Sequence, residues 1–194
     1  EQHGADAIVA EGCEAGGHIG ETTTMVLTRL VSEAVEVPVL AAGGIVDGAT
    51  MVAAFALGAE GVQMGTRFVC AEECTVSEAV KDKFVKAGDR ATVVTARTIG
   101  YPVRAIKNKL VGLYIDLEKD FLLGKRSAEE IERLGLGKLR EAMREGNVRD
   151  GSMMAGQGVA LVDRVQPAAE IIAEIIAEAE AVTAELSTRL SLRR

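Results

Sequence analysis

The chain has 194 residues, 48% of them hydrophobic and only 3% aromatic, and its 29 acidic and 22 basic side chains give a formal charge of −7. The hydrophobic fraction excludes a disordered chain, and the negative field disfavours nucleic acid and anionic membrane surfaces as partners. No charge-free apolar run approaches the roughly 20 residues that a membrane-spanning helix needs; even the greasy C-terminal stretch carries Glu170, Glu174, Glu178 and Glu180.

The three cysteines, Cys13, Cys70 and Cys74, are odd in number and lack C-x-x-C spacing. Neither a disulfide framework nor a metal site is expected from them. Reduced thiols and the absence of a charged-then-apolar leader point to a cytoplasmic protein. The chain opens on Glu1 rather than Met, so a fragment of a longer protein is one reading.

In chain order, Ala5 to Ala10 is short, apolar and β-branched, and predicts a buried strand that runs into a Gly-rich stretch from Gly12 to Gly20. From Thr24 to Val35 the apolar residues largely follow helical spacing, until Pro38 forbids continuation. Val39 to Ala42 predicts a second buried strand ending at Gly43-Gly44, after which Asp47 caps a helix that stops at Gly58. Gly61 to Thr66 predicts a third strand. Strands alternating with helices, without a hairpin signal between them, imply right-handed crossovers around a parallel sheet.

Beyond Cys70 the pattern predicts a charged helix from Ser77 to Ala87, a short β-branched run from Thr92 to Thr95, and an amphipathic basic segment from Val103 to Leu110. Helical stretches follow at Ala128 to Leu134 and Lys138 to Arg144. After Pro167 a closing helix is expected to bury Ile171, Ile172, Ile175 and Ile176 and to leave its glutamates in water.

Three Gly-containing turns, at Gly16-Gly17-His18, Gly43-Gly44 and Gly65-Thr66, follow three consecutive parallel strands. Ligands of parallel α/β proteins sit at the C-terminal ends of strands, so all three turns are expected to face one site. Glycine lets a phosphate oxygen approach backbone N–H groups, and the helix beginning near Asp47 adds a favourable dipole. His18 is a candidate proton donor or acceptor. Glu11 and Glu14 flank its loop, with hydrogen bonds to a sugar-like hydroxyl, orientation of His18, or plain solvation as their readings. Arg67 is read as a phosphate contact or an outward salt bridge. Cys13, Cys70 and Cys74 are read as packed or idle thiols. The Arg104, Lys107, Lys109 cluster is read as a solvated face or a contact for an acidic partner or nucleotide phosphate. Met153, Met154 and Gln157 form either a mobile wall over a flat ligand or ordinary core.

Taken in order, Ala10-Glu11-Gly12-Cys13-Glu14-Ala15-Gly16-Gly17-His18-Ile19-Gly20, Ala41-Ala42-Gly43-Gly44-Ile45, Gln63-Met64-Gly65-Thr66-Arg67-Phe68 and Gly151-Ser152-Met153-Met154-Ala155-Gly156-Gln157 resemble the family of nitronate monooxygenases and enoyl-acyl-carrier-protein reductases II. The resemblance implies an α/β fold: the C-terminal part of a flavin mononucleotide (FMN)-binding (β/α)₈ TIM barrel, with about three barrel strands and a helical C-terminal elaboration. It further implies that residues 1–110 form the barrel portion with the flavin phosphate site, 111–150 a helical lid or insertion, and 151–194 a flavin-contacting loop and the last helix.

By the same resemblance, Gly43, Gly44, Gly65 and Thr66 hold the flavin phosphate. Glu11, Gly16, Gly17 and Gln63 line the cofactor, Met153 and Gln157 approach it from the C-terminal segment, and His18 is the catalytic histidine. No metal is implied. Ile19, the Thr22-Thr23-Thr24-Met25 run and the Val103 to Leu110 segment look more like the reductase branch. The implied reaction is NADH- or NADPH-dependent reduction of a trans-2-enoyl thioester, bound to acyl carrier protein or CoA, in fatty acid synthesis, by a protein that is a homodimer when complete. The alternatives are flavin-dependent oxidation of alkyl nitronates, and a fragment without activity on its own. A full barrel has eight strands, so a polypeptide of these residues alone is expected to be inactive.

Overall fold

The computed structural model describes residues 1–191. The chain runs through β1 (Ile8–Glu11), β2 (Gly17–His18), α1 (Thr24–Ala34), β3 (Val39–Ala42), α2 (Gly48–Ala56), β4 (Gly61–Gln63), α3 (Thr66–Val69) and α4 (Glu78–Val85). It continues with β5 (Thr92–Thr95), a 3₁₀ turn (Arg97–Ile99), β6 (Val103–Ile106), α5 (Lys109–Leu122), α6 (Ala128–Gly135) and α7 (Lys138–Met143). A second 3₁₀ turn (Gln157–Leu161) precedes α8 (Ala168–Ser191).

The first sheet is parallel, in the order β1-β3-β4. Glu11 stands opposite Ala42 and Ala42 opposite Gln63, so the three strands end level and their following loops open on one side. Among the described residues the outer edges of β1 and β4 are unpaired. The helix α1 turns Thr24 and Thr28 inward, whereas Met25 and Leu30 are 65% and 57% exposed. The helix packs against β1 and β3, but only part of its apolar stripe is buried there.

A second sheet is antiparallel, in the order β2-β6-β5. It holds the β-branched run Thr92–Thr95 against Val103–Ile106. The expected continuous basic segment from Val103 to Leu110 is thereby divided: four residues are strand, and Asn108 starts α5 by accepting from Val111 N. The Asn108 side-chain amide donates to Val148 O at 3.0 Å and Gly151 O at 2.7 Å. This anchors the start of α5 to the loop that leads into the site.

The helix α2 carries a capping box in which Asp47 accepts from Thr50 N and the Thr50 hydroxyl takes the Asp47 backbone N–H. The long helix α8 lies across it. Gly48 lets the two approach, since a Cβ there would sit 2.4 Å from Ala179 N and 2.5 Å from Ile175 O. The expected burial of four isoleucines is corrected to two. Ile171 and Ile175 are buried, while Ile172 and Ile176 lie on the flank, 53% and 46% exposed. The glutamates are not all solvated either: Glu178 accepts from Gly48 N at 2.9 Å and Glu174 binds Arg164 and Gln166. The Gln166 amide and then Arg164 hold the Glu174 carboxyl below the usual range. Gly48→Ala is expected to lower stability by about 1–3 kcal/mol through overpacking. A denaturant midpoint equal to that of the parent would show that α8 does not pack this closely.

Candidate active site

The loops after β1, β3 and β4 enclose a cavity of about 190 Å³ together with the stretch from Met154 to Gly158. Its walls are largely backbone. Gly43 and Gly44 take φ of +93° and +73°, and a Cβ on Gly43 would lie 2.8 Å from Gly12 O. Gly16 and Gly156 are equally tight, with Cβ positions 2.5 Å from the Ala155 carbonyl carbon and 2.7 Å from Glu14 O. Only glycine lets these segments meet.

Gly65 is different: a Cβ there would meet no protein atom within 4 Å. The free space at this position belongs to the cavity that Gly65 lines. The amides of Gly44, Ile45 and Gly65 donate to no acceptor among the described residues, and no Lys or Arg lines the cavity. Such a cradle holds an anion through peptide dipoles, and the residues present fit the phosphate of a flavin mononucleotide.

Two expectations about charge are corrected. The N-terminus of α2 does not offer free donors to an anion, because Glu178 and Asp47 already accept from Gly48 N and Thr50 N. Arg67 is neither a phosphate contact nor an outward ion pair. It is buried, and its Nη2 donates to Gln166 Oε1.

The loop carrying His18 is fixed from two sides. Glu14 Oε2 accepts from Thr24 N at 2.7 Å and from the Thr24 hydroxyl at 2.8 Å, which ties the loop to the start of α1. Arg104, on β6, donates from Nε and Nη2 to Cys13 O at 3.3 and 3.0 Å. Arg104 is therefore not part of a solvated basic face. It is buried, and desolvation lowers its pKa. Lys107 instead donates to Arg90 O, and Lys109 pairs with Asp150. The three cations serve three separate contacts.

His18 itself lies in β2, opposite Val103, with Ile19 N donating to Pro102 O at 3.1 Å. It does not line the glycine cavity. It lines a second cavity of about 490 Å³ between β5, β6 and the helices α5 to α7, whose walls include Ala105, Leu110, Val111, Ile131 and Leu139. Met154 belongs to the walls of both cavities.

Of the sequence candidates, Glu11, Gly16, Gly43, Gly44, Gln63, Gly65 and Thr66 converge on the first cavity. Gly17, Met153 and Gln157 line neither. Met153 is 1% exposed and packs with Phe84 and Ile106, while Gln157 turns its side chain to solvent between Gly156 and Gly158. The methionine at the cavity wall is Met154, and nothing in a Met-Met pair says which member turns inward. The second cavity was missed because its walls bring His18 together with β5, β6 and α5 to α7, all of which lie beyond residue 90.

The thiols carry no visible chemistry. Cys70 is fully buried, and burial pushes its pKa up to about 11, so it stays protonated and packed in the core. Cys13 and Cys74 are free and partly buried. Among the described residues no group of His, Cys, Asp and Glu could hold a metal ion.

A family model described as nitronate monooxygenase matches residues 1–178. A Rhodococcus jostii protein named (3aS,4S,5R,7aS)-5-hydroxy-7a-methyl-1-oxo-octahydro-1H-indene-4-carboxyl-CoA dehydrogenase is 34% identical, over 91% of this chain and 59% of its own length. A nitronate monooxygenase of Paraburkholderia phytofirmans is 36% identical, over 90% of this chain and 49% of its own. Among solved structures, FabK from Thermotoga maritima superposes with a TM-score of 0.90 at 44% identity, covering 97% of this chain and 58% of that one. The chain thus spans about half to three fifths of the length of these relatives. With its parallel strands, glycine cradle and helical C-terminal part placed on FabK over nearly all of its length, the chain belongs to the nitronate monooxygenase family and forms part of that family's TIM barrel.

Proposed function

We propose that the chain carries the cofactor cradle, the catalytic histidine and the substrate cavity of an FMN-dependent oxidoreductase that reduces trans-2-enoyl thioesters, with NADH or NADPH as co-substrate. The observation that carries this reading is the second cavity. At about 490 Å³, with mainly apolar walls beginning at His18, it falls in the range of small-molecule sites and suits an acyl chain far better than a small, charged nitronate. The name of the Rhodococcus relative, a carboxyl-CoA dehydrogenase, supports a thioester, as does the resemblance of Ile19 and the Val103 to Leu110 segment to the reductase branch. The Paraburkholderia relative keeps nitronate oxidation as the second reading.

In this reading the backbone of Gly43, Gly44, Gly65 and Thr66 holds the phosphate, and Glu11 and Gln63, level with each other on either side of Ala42, take sugar-chain hydroxyls. Gly16 gives the ring a surface without a Cβ atom, and Met154, in the walls of both cavities, separates cofactor from acyl chain. Bound FMN supplies hydride transfer between nicotinamide and thioester. His18 delivers a proton at the α-carbon, while the apolar walls keep water from the reacting bond. Turnover is assigned to the flavin-loaded holoprotein in the cytoplasm, acting on acyl-carrier-protein- or CoA-bound substrate.

The test is anaerobic mixing of the holoprotein with NADH or NADPH, followed by an enoyl-CoA. Bleaching of the flavin by the nicotinamide and recolouring by the thioester are expected. A flavin that ignores nicotinamide but turns over an alkyl nitronate in air would establish the second reading instead.

A further inference from the structure

The wall of the second cavity holds an unusual contact where α5 meets α6. On α5, Leu110, Val111 and Tyr114 face the cavity, and across from them α6 presents Ile131 and Gly135. Each set follows the i, i+4 spacing of one helix face. A Cβ on Gly135 would lie 2.4 Å from Tyr114 Oη but 3.7 Å from Cζ. The phenol therefore rests tip-first on the backbone of α6, and a methyl group at this position would have to push the ring tip aside. Burial, helped by the Glu118 charge, raises the pKa of this phenol, so it is a neutral plug rather than a charge.

We infer that Tyr114, seated on Gly135, is the stop that sets how long an acyl chain the cavity accepts. This rests on the thioester reading above. With the reacting end at His18, the chain extends between β6 and α5 toward the seam of α5 and α6, and Tyr114 bridges that seam. Each methylene that enters an apolar cavity tightens binding by about fourfold, from roughly 0.8 kcal/mol per CH₂. The increment ends where the chain meets the ring.

The contact distances make the inference testable as a coupling rather than as a single lesion. Gly135→Ala drives the ring tip off its seat, so kcat/KM is expected to fall roughly tenfold or more for chains that reach the ring. The loss should grow with chain length and be carried by KM. Tyr114→Phe removes the oxygen that the new methyl strikes and leaves an ordinary 3.7 Å approach, so the double variant Gly135→Ala/Tyr114→Phe should recover the parent's length profile. Tyr114→Leu should move the optimum to longer chains.

The experiment measures turnover of trans-2-enoyl-CoAs of increasing length by the holoprotein, and in parallel the binding of saturated acyl-CoAs. If Gly135→Ala lowers all lengths equally, or if Tyr114→Phe does not relieve it, Tyr114 is not the stop, whatever the reaction. If acyl-CoAs bind with the expected length dependence and coupling but no enoyl-CoA is turned over, the stop stands and the proposed reaction falls.

Discussion

Gly65→Val is expected to yield a folded protein that has lost its flavin. The backbone at Gly65 has φ of −91°, which valine adopts without strain, and the space its side chain would enter holds no protein atom. Steric conflict therefore falls on the cofactor phosphate alone. A charge-assisted hydrogen bond contributes about 1.5–3 kcal/mol, so displacing a phosphate from two amides weakens binding by roughly 10²–10⁴-fold. The purified variant should be colourless, with the far-ultraviolet circular dichroism and melting temperature of the parent apoprotein. Retention of stoichiometric yellow flavin would place the phosphate elsewhere. The neighbouring Gly43 is a poor probe by comparison: with φ of +93° and Gly12 O at 2.8 Å from its Cβ position, any side chain there strains the fold as well as the site.

His18→Ala should behave in the opposite way. His18 lines the acyl cavity and not the glycine cradle, so the variant should stay yellow while turnover of an enoyl thioester slows by about 10²–10⁴-fold, the usual contribution of a positioned proton donor. The measurement is single-turnover reoxidation of the reduced holoprotein by substrate, which separates the proton-transfer step from nicotinamide binding. Undiminished turnover would remove His18 from the mechanism, and loss of flavin would show that it supports the cradle.

Features set by short-range rules could be read from the sequence. The three parallel strands announce themselves as short, largely apolar runs, their Gly turns follow at once, and Asp47 caps α2 as its position before the helix suggests. What stayed hidden depends on partners distant along the chain. Arg104 looks solvated next to Lys107 and Lys109 until Cys13 O is seen to accept from it. The start of α2 looks like a free anion site until Glu178, 130 residues away, is found on Gly48 N. A two-residue strand such as β2 has too little pattern to be recognised, so the second sheet, and with it the apolar cavity beside His18, could only be seen folded.

The cradle is sewn together across the chain: Gly156 N donates to the Thr66 hydroxyl, 90 residues distant, and Gln157 N to Glu14 O. None of these walls exists in an unfolded polypeptide, so a ligand that fills the cradle has no competing state to bind. Occupancy is then a reserve of native-state stability, worth about 2.7 kcal/mol when the free ligand is at a hundred times its Kd. The loop from Met154 to Gly158 contributes to that reserve as directly as the glycine turns do, and damage to either is felt as a lower melting temperature of the holoprotein as well as a weaker site.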